Sequence, residues 1–93
     1  MADAIRRLPA EEAAGTAWTF VCGQAVSDRT KVLEFREGIL RIEVPDAAWR
    51  AQLLGMAGHY RAALTEYSGQ TVQRIEFLLP EEAIRWAARR DNP

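Results

Sequence analysis

The sequence predicts a small α+β domain in two layers, with a three-stranded sheet and helices mainly on one face of that sheet. Near Pro45 the spacing of apolar residues changes from two to about 3.6, so a strand is followed directly by a helix. Three short segments alternate apolar and polar residues, which gives each strand one apolar face. The predicted element order is α-β-β-α(α)-β-α. A chain of 93 residues has room for one domain, and we expect residues 1–93 to form it, with a core at about 10–79 and a terminal helix at about 81–90.

The first predicted helix begins near Pro9, which suits the first helical position, and runs to about residue 26. Glu11 and Glu12 lie in its first turn, where they complement the helix dipole. Its apolar stripe comprises Ala14, Trp18, Val21, Cys22 and Ala25. The place of Cys22 in this stripe indicates a small buried hydrophobic residue rather than a reactive thiol.

A β-hairpin follows the first helix. Its strands are predicted at residues 31–36 and 39–44, joined by a two-residue turn at 37–38. Leu33 and Phe35 are expected to share one face of the first strand, and the second strand alternates apolar with charged residues.

Asp46 is a good N-cap for the next helical segment, at residues 47–67. Gly55 and Gly58 interrupt the middle of this segment, so the sequence allows either one helix or two. Gly69 is expected to end it.

The third strand is predicted at residues 72–79, and Pro80 begins a terminal helix that includes 83–90. The outer face of the sheet is expected to carry charges of both signs. They are Glu34, Arg36, Arg41, Glu43, Arg74 and Glu76. The favoured interpretation is cross-strand ion pairs facing water, and the alternative is a recognition face.

A series of apolar and glycine positions in a fixed order resembles the bacterial DciA family. The positions are Trp18, Val21, Cys22, Gly23, Thr30, Gly38, Ile39, Leu40, Ile42, Val44, Trp49, Leu53, Leu64, Gly69, Ile75, Glu76 and Phe77. The resemblance covers residues 18–79. It implies a KH-like domain that acts in DNA replication as a non-enzymatic adaptor, binding the replicative DNA helicase and helping to load it or operate it on DNA.

Residues 55–58 spell the GxxG sequence that KH domains place between two helices to clamp a nucleic-acid backbone. The candidate nucleic-acid-binding residues are therefore Gly55 and Gly58 with the nearby Arg50, His59 and Arg61. The alternative is a stripe of small residues that lets the first helix pack closely. Its members are Ala48, Ala51, Gly55, Gly58 and Ala62.

The terminal helix supplies the candidate partner-binding residues. Trp86 lies among charged residues and is the best candidate for an exposed aromatic anchor, with Arg85 and Arg89 beside it. The alternative is that this helix folds back onto the domain.

Composition excludes several classes of function. A net charge of −1 provides no bulk positive field, so we expect single-stranded DNA binding to be weak and salt-dependent at most. One Cys and one His offer no metal-site spacing, and no cofactor is expected. No apolar run approaches the roughly 20 residues that a membrane span needs, and the N-terminus lacks the apolar region of a secretory signal, so we expect a cytoplasmic protein without membrane insertion.

Catalysis has little support, because the lone His59 has no evident nucleophile near it in the sequence. Two other non-enzymatic functions stay open beside the helicase adaptor. One is a stand-alone KH-like module that binds single-stranded nucleic acid through residues 55–58. The other is a structural or oligomerisation module that pairs through its sheet face or terminal helix. The sequence leaves the oligomeric state undetermined.

Overall fold

The computed structural model describes residues 2–90, which form six helices and three strands. In chain order these are α1 (Ala2–Arg6), α2 (Ala10–Cys22), α3 (Gln24–Ser27), β1 (Lys31–Arg36), β2 (Ile39–Glu43), α4 (Ala47–Gly55), α5 (Ala57–Ser68), β3 (Arg74–Leu78) and α6 (Pro80–Arg90). The predicted α+β class and the predicted order of the strands and longer helices are confirmed, and the arrangement is consistent with a KH-like fold.

The sheet is mixed, with strand order β1-β2-β3. β1 and β2 form an antiparallel hairpin, whose turn residues Glu37 and Gly38 both have positive φ, 54° and 79°. Positive φ at both central residues is typical of a two-residue hairpin turn, because its twist matches that of the strands. β2 and β3 are parallel, so the chain must cross over between them, and α4 and α5 form that crossover.

β1 contains a bulge at Leu33. Val32 is opposite Ile42, but the next paired residue, Glu34, is already opposite Arg41. The extra residue shifts the alternation, so Val32 and Phe35 face the core. The expectation that Leu33 and Phe35 share a face is therefore wrong.

The hydrophobic core lies between the sheet and the helices α2, α4 and α5. Trp18 lies at its centre and is 1% exposed. Its ring makes an edge-to-face contact with the ring of Tyr60, at a centroid distance of 5.2 Å. Its indole N–H donates a hydrogen bond to Thr30 Oγ1 at 2.9 Å. This hydrogen bond satisfies the one polar atom of a buried ring. The remaining buried apolar side chains include Ala13, Ala14, Ala17, Leu40, Ile42, Val44, Leu53, Leu64, Ile75 and Phe77.

Two features near the N-terminus differ from the prediction. The expected helix to residue 26 is broken at Gly23, whose φ of 87° is not helical, and α3 begins after it. The short helix α1 was not predicted. It buries Ile5 to 3% exposure, and the Arg6 guanidinium donates to the Glu66 carbonyl of α5.

The segment between β2 and β3 forms two helices, with the break at Met56. Asp46 caps α4 as predicted, because its Oδ1 accepts from the Trp49 N–H at 2.9 Å. Gly69 ends α5 with a φ of 72°, in the left-handed region that favours glycine.

The terminal helix α6 lies against the charged face of the sheet, opposite the core helices. The contact is made by Trp86, whose ring centroid is 6.0 Å from the guanidinium carbon of Arg41 on β2. Helices thus cover mainly the apolar face, and α6 is the exception. The alternative in which the terminal helix folds back onto the domain is the one the structure shows.

Candidate nucleic-acid and partner surfaces

The GxxG residues lie at the junction of α4 and α5, in open surroundings. Gly55 is the last residue of α4, and a Cβ added to it would meet nothing within 4 Å. A Cβ added to Gly58 would meet only the guanidinium of Arg61, at 3.9 Å. Neither glycine is needed for packing inside the domain, so an external backbone can approach both closely.

The stripe of small residues does not pack against α2. All five members, Ala48, Ala51, Gly55, Gly58 and Ala62, are exposed. The buried positions of α5 are Tyr60, Leu64 and Ser68, which repeat every four residues and form its inner face. The packing interpretation of the stripe is wrong, because Tyr60 and Leu64 fix the other side of the helix toward the core.

The three candidate basic residues have different surroundings. Arg61 Nη1 donates to the Gln73 carbonyl at 2.9 Å, which keeps its guanidinium close to Gly58. His59, which directly follows Gly58 in the sequence, is exposed. Arg50 is directed away, toward α6, where its Nη1 contacts Glu82 Oε1 at 2.7 Å. The structure therefore places Arg61 next to Gly58 and leaves His59 exposed, and it pairs the charge of Arg50 with a carboxylate.

Glu82 connects α4 with the beginning of α6. Its Oε1 accepts the Leu79 N–H at 2.8 Å, in the manner of a capping-box glutamate, and also accepts from Arg50. The pKa of the Glu82 carboxyl is lowered, mainly because the Leu79 N–H donates to it, and the charge of Arg50 adds to the effect. α6 is therefore joined to α4 by a charged hydrogen-bonded contact.

Cross-strand ion pairs form on the outer face of the sheet as predicted, but they do not simply face water, because α6 packs over them. Arg41 on the central strand contacts Glu34 of β1 and Glu76 of β3, each at 3.0 Å. Arg90 at the end of α6 reaches the same Glu34 at 3.3 Å. Arg74 contacts Glu76 at 3.4 Å. The sheet and α6 thus share one network of opposite charges.

Trp86 is half-buried within this network. The guanidinium carbons of Arg41 and Arg90 lie 6.0 and 5.3 Å from its ring centroid, distances at which a cation is attracted to an aromatic ring. Arg85 and Arg89 are exposed on α6 and line a cleft beside Trp86. The most exposed large apolar residue here is Ile84, at 70%, which the sequence analysis did not single out. We name Ile84, Arg85, Trp86 and Arg89 the α6 surface.

Cys22 is half-buried and packs against the core, as its position in the apolar stripe indicated. Burial raises the pKa of its thiol to about 11. The side chain is therefore a neutral thiol at physiological pH, and its surroundings give it no nucleophilic activation.

None of the helices within residues 2–90 is both long and apolar enough to cross a membrane. A search of curated proteins found no match. The family model for DciA, described as the Dna[CI] antecedent, matches residues 2–77 of the 93. The chain belongs to the DciA family. The match begins in α1 and ends in β3, and so includes the GxxG junction but not α6.

Membership of DciA confirms the resemblance found in the sequence. DciA is a helicase-loader family antecedent to DnaC, and not a catalytic one, so the general role of this chain lies in helicase loading during DNA replication.

Proposed function

We propose that this DciA protein is a non-enzymatic cytoplasmic adaptor that binds the bacterial replicative DNA helicase and assists its loading or operation on DNA. The observation that carries the proposal is the family match over residues 2–77. Exposed side chains on α6 and at the GxxG junction support it, because they leave two parts of the described surface available to a partner.

We further propose that the α6 surface contacts the helicase. Arg85 and Arg89 are exposed there, Ile84 is 70% exposed, and the Trp86 ring contacts two arginines without being fully buried. Aromatic and arginine side chains are the residues that most often dominate interface energies, which favours this surface.

A loading assay tests the function. Circular single-stranded DNA is covered with single-strand-binding protein, a bacterial replicative helicase is added, and duplex unwinding is followed with and without the chain. We expect the chain to accelerate unwinding in proportion to its concentration, up to saturation. Unwinding that does not change at any concentration of a folded chain would contradict the adaptor role.

A second candidate function is single-stranded nucleic-acid binding at the GxxG junction. The open space at Gly55 and Gly58, next to Arg61, favours it. The net charge of −1 argues for weak binding, because affinity for nucleic acid comes largely from neutralised phosphates. Binding of a labelled oligothymidylate, measured by fluorescence anisotropy at two salt concentrations, distinguishes this function from helicase binding.

A further inference from the structure

A cleft of about 390 Å³ lies between α6 and β3, beside Trp86. Leu78 and Trp86 line it with apolar atoms, and Arg85 and Arg89 line it with positive charge. Leu78 follows Glu76 by two residues on β3, so both side chains lie on the outer face of the sheet, where Leu78 is half-buried. The cleft therefore presents apolar surface next to two exposed arginines.

The two carboxylates that line the cleft are already paired with other arginines. Glu76 contacts Arg41 at 3.0 Å and Arg74 at 3.4 Å. Glu82 contacts Arg50 at 2.7 Å. Neither carboxylate is therefore left to pair with the exposed arginines of α6.

Arg85 and Arg89 form no ion pair with any carboxylate of residues 2–90. They are four residues apart and lie on one face of α6, where like charges repel each other. The helix dipole favours a cation in the last turn, which accounts for Arg89 but not for Arg85. Glu81 precedes Arg85 by four residues, a spacing that allows an ion pair, but the two side chains form none. This side of the helix thus has an excess of positive charge.

Carboxylates are the anions that suit this cleft. A guanidinium binds a carboxylate through two parallel hydrogen bonds, so each of the two arginines can hold one. A partner helix with acidic residues four positions apart presents its carboxylates at the same spacing as Arg85 and Arg89. An apolar side chain on that face of the partner would contact Leu78 and Trp86.

Nucleic acid suits the cleft less well. A phosphate backbone carries a negative charge at every nucleotide, and Glu76 and Glu82 line the cleft beside the arginines. A protein segment can place carboxylates at Arg85 and Arg89 and neutral side chains beside the two glutamates. Charge complementarity therefore favours an acidic protein segment.

We propose that this cleft binds an acidic segment of the helicase. Two carboxylates of that segment, one helical turn apart, pair with Arg85 and Arg89. An apolar side chain on the same face of the segment contacts Leu78 and Trp86. The inference rests on the proposed helicase contact at the α6 surface and adds the chemistry that this contact recognises.

Titration of the purified helicase with charge variants of the full chain tests the proposal. Arg85→Gln/Arg89→Gln should weaken helicase binding by about tenfold or more in about 50 mM salt, and the difference should shrink in about 500 mM salt, because salt screens exposed charges. Arg7→Gln/Arg29→Gln is the matched control, since it removes the same charge at two exposed arginines outside α6. The control should bind as tightly as wild type, and circular dichroism should show both variants folded.

Cross-linking identifies the helicase segment. Ala88 is exposed and lies three residues after Arg85, so a photoreactive benzoylphenylalanine in its place should label the segment that contacts the cleft. Mass spectrometry of the labelled helicase should show Asp or Glu residues one helical turn apart. Their replacement by Arg should weaken binding to the wild-type chain, and Arg85→Glu/Arg89→Glu should restore it.

The proposal is overturned if Arg85→Gln/Arg89→Gln binds the helicase as tightly as wild type, if the labelled segment is not acidic, or if the exchange of charges does not restore binding. A helicase complex that Trp86→Ala weakens would still support the adaptor function in each of these cases. The proposal is also overturned if an oligothymidylate displaces the helicase from the wild-type chain, or if the wild-type chain alone dimerises through these arginines. Absence of any helicase complex would overturn both the proposal and the adaptor function.

Discussion

Arg50 and Glu82 form a 2.7 Å ion pair that joins α4, on the core side of the molecule, to α6, on the charged face of the sheet. The sequence predicts Arg50 as a nucleic-acid-binding residue, but in the structure its guanidinium is paired with Glu82. The pair shows that α6 is held mainly by charged contacts, since Ala83 is its one buried residue.

The first prediction concerns the pH dependence of α6. Because the folded-state pKa of Glu82 is lowered, its contribution to stability is fully present above the ordinary carboxyl pKa and is lost as the pH falls through the lowered value. Glu82→Gln should lower the melting temperature by a few degrees at pH 7, and the difference from wild type should vanish in acid.

Glu81→Gln is the matched control, because Glu81 lies in the same helical turn and is exposed. It should change the melting temperature less than Glu82→Gln does. Equal effects of the two substitutions at pH 7 would show that helix-dipole attraction, and not the contacts of Glu82, explains the stability.

The second prediction concerns Trp86. Its cation–π contacts are half-exposed, and each such contact contributes about 0.5–1 kcal/mol, so Trp86→Ala should leave the domain folded. Helicase binding should weaken by about 1–3 kcal/mol, as truncation of an interface aromatic does. Thermal unfolding and titration calorimetry measure the two effects.

Phe20→Ala serves as the control for Trp86→Ala, because Phe20 is 47% exposed on α2, on the core side of the molecule. It should leave helicase binding unchanged. If Trp86→Ala unfolds the domain, Trp86 is a structural residue and the site assignment fails. If neither stability nor binding changes, the helicase contact lies elsewhere, and α4 is the next candidate.

The third prediction concerns the GxxG junction. Oligothymidylate binding at physiological salt should be weaker than about 10 μM, within the range of non-specific electrostatic binding, and should weaken further as salt rises. Arg61→Ala should reduce it, and Arg7→Ala, an exposed arginine after α1, should reduce it less. Sub-micromolar binding that Gly58→Asp abolishes would instead make nucleic-acid recognition the main function.

The fourth prediction concerns Cys22. With a thiol pKa of about 11, the thiolate fraction at pH 8 is about 100-fold lower than for an ordinary cysteine with a pKa of 9.0. Alkylation by iodoacetamide should be slowed by about that factor in the folded chain and should recover in urea. Fast alkylation of the folded chain would show that the α2 terminus opens readily.

Much of the fold could be predicted from local signals. Asp46 as an N-cap, the turn at Glu37 and Gly38, and the helix end at Gly69 each depend on the conformation of a few neighbouring residues. Periodicity was sufficient for the strands and the longer helices, because each has one apolar face.

The features that were missed depend on contacts between distant segments. Among residues 3–6 of α1, Ile5 is the one buried apolar side chain, and the helix packs on a surface that α5 offers it. The bulge at Leu33 changes which residues face the core without changing the apolar content of β1. α6 has little apolar surface to bury, so its docking on the charged face depends on Arg41, Glu34 and Arg50, which no pattern within α6 indicates.

The site could be predicted only in its residue types. The position of the GxxG residues between two helices could be predicted from the sequence, and they lie at the junction of α4 and α5 in the structure. The direction of the Arg50 side chain could not be predicted, because it depends on the carboxylate of Glu82, which is 32 residues away in the sequence.

The most direct test of the adaptor role is calorimetric titration of the purified chain into a purified bacterial replicative helicase, with the mass of the complex measured by light scattering. The account predicts a saturable complex of defined stoichiometry with low-micromolar or tighter affinity, which Trp86→Ala weakens and Phe20→Ala does not. No heat and no complex at concentrations on the order of 100 μM, where a low-micromolar complex would be nearly saturated, would contradict it.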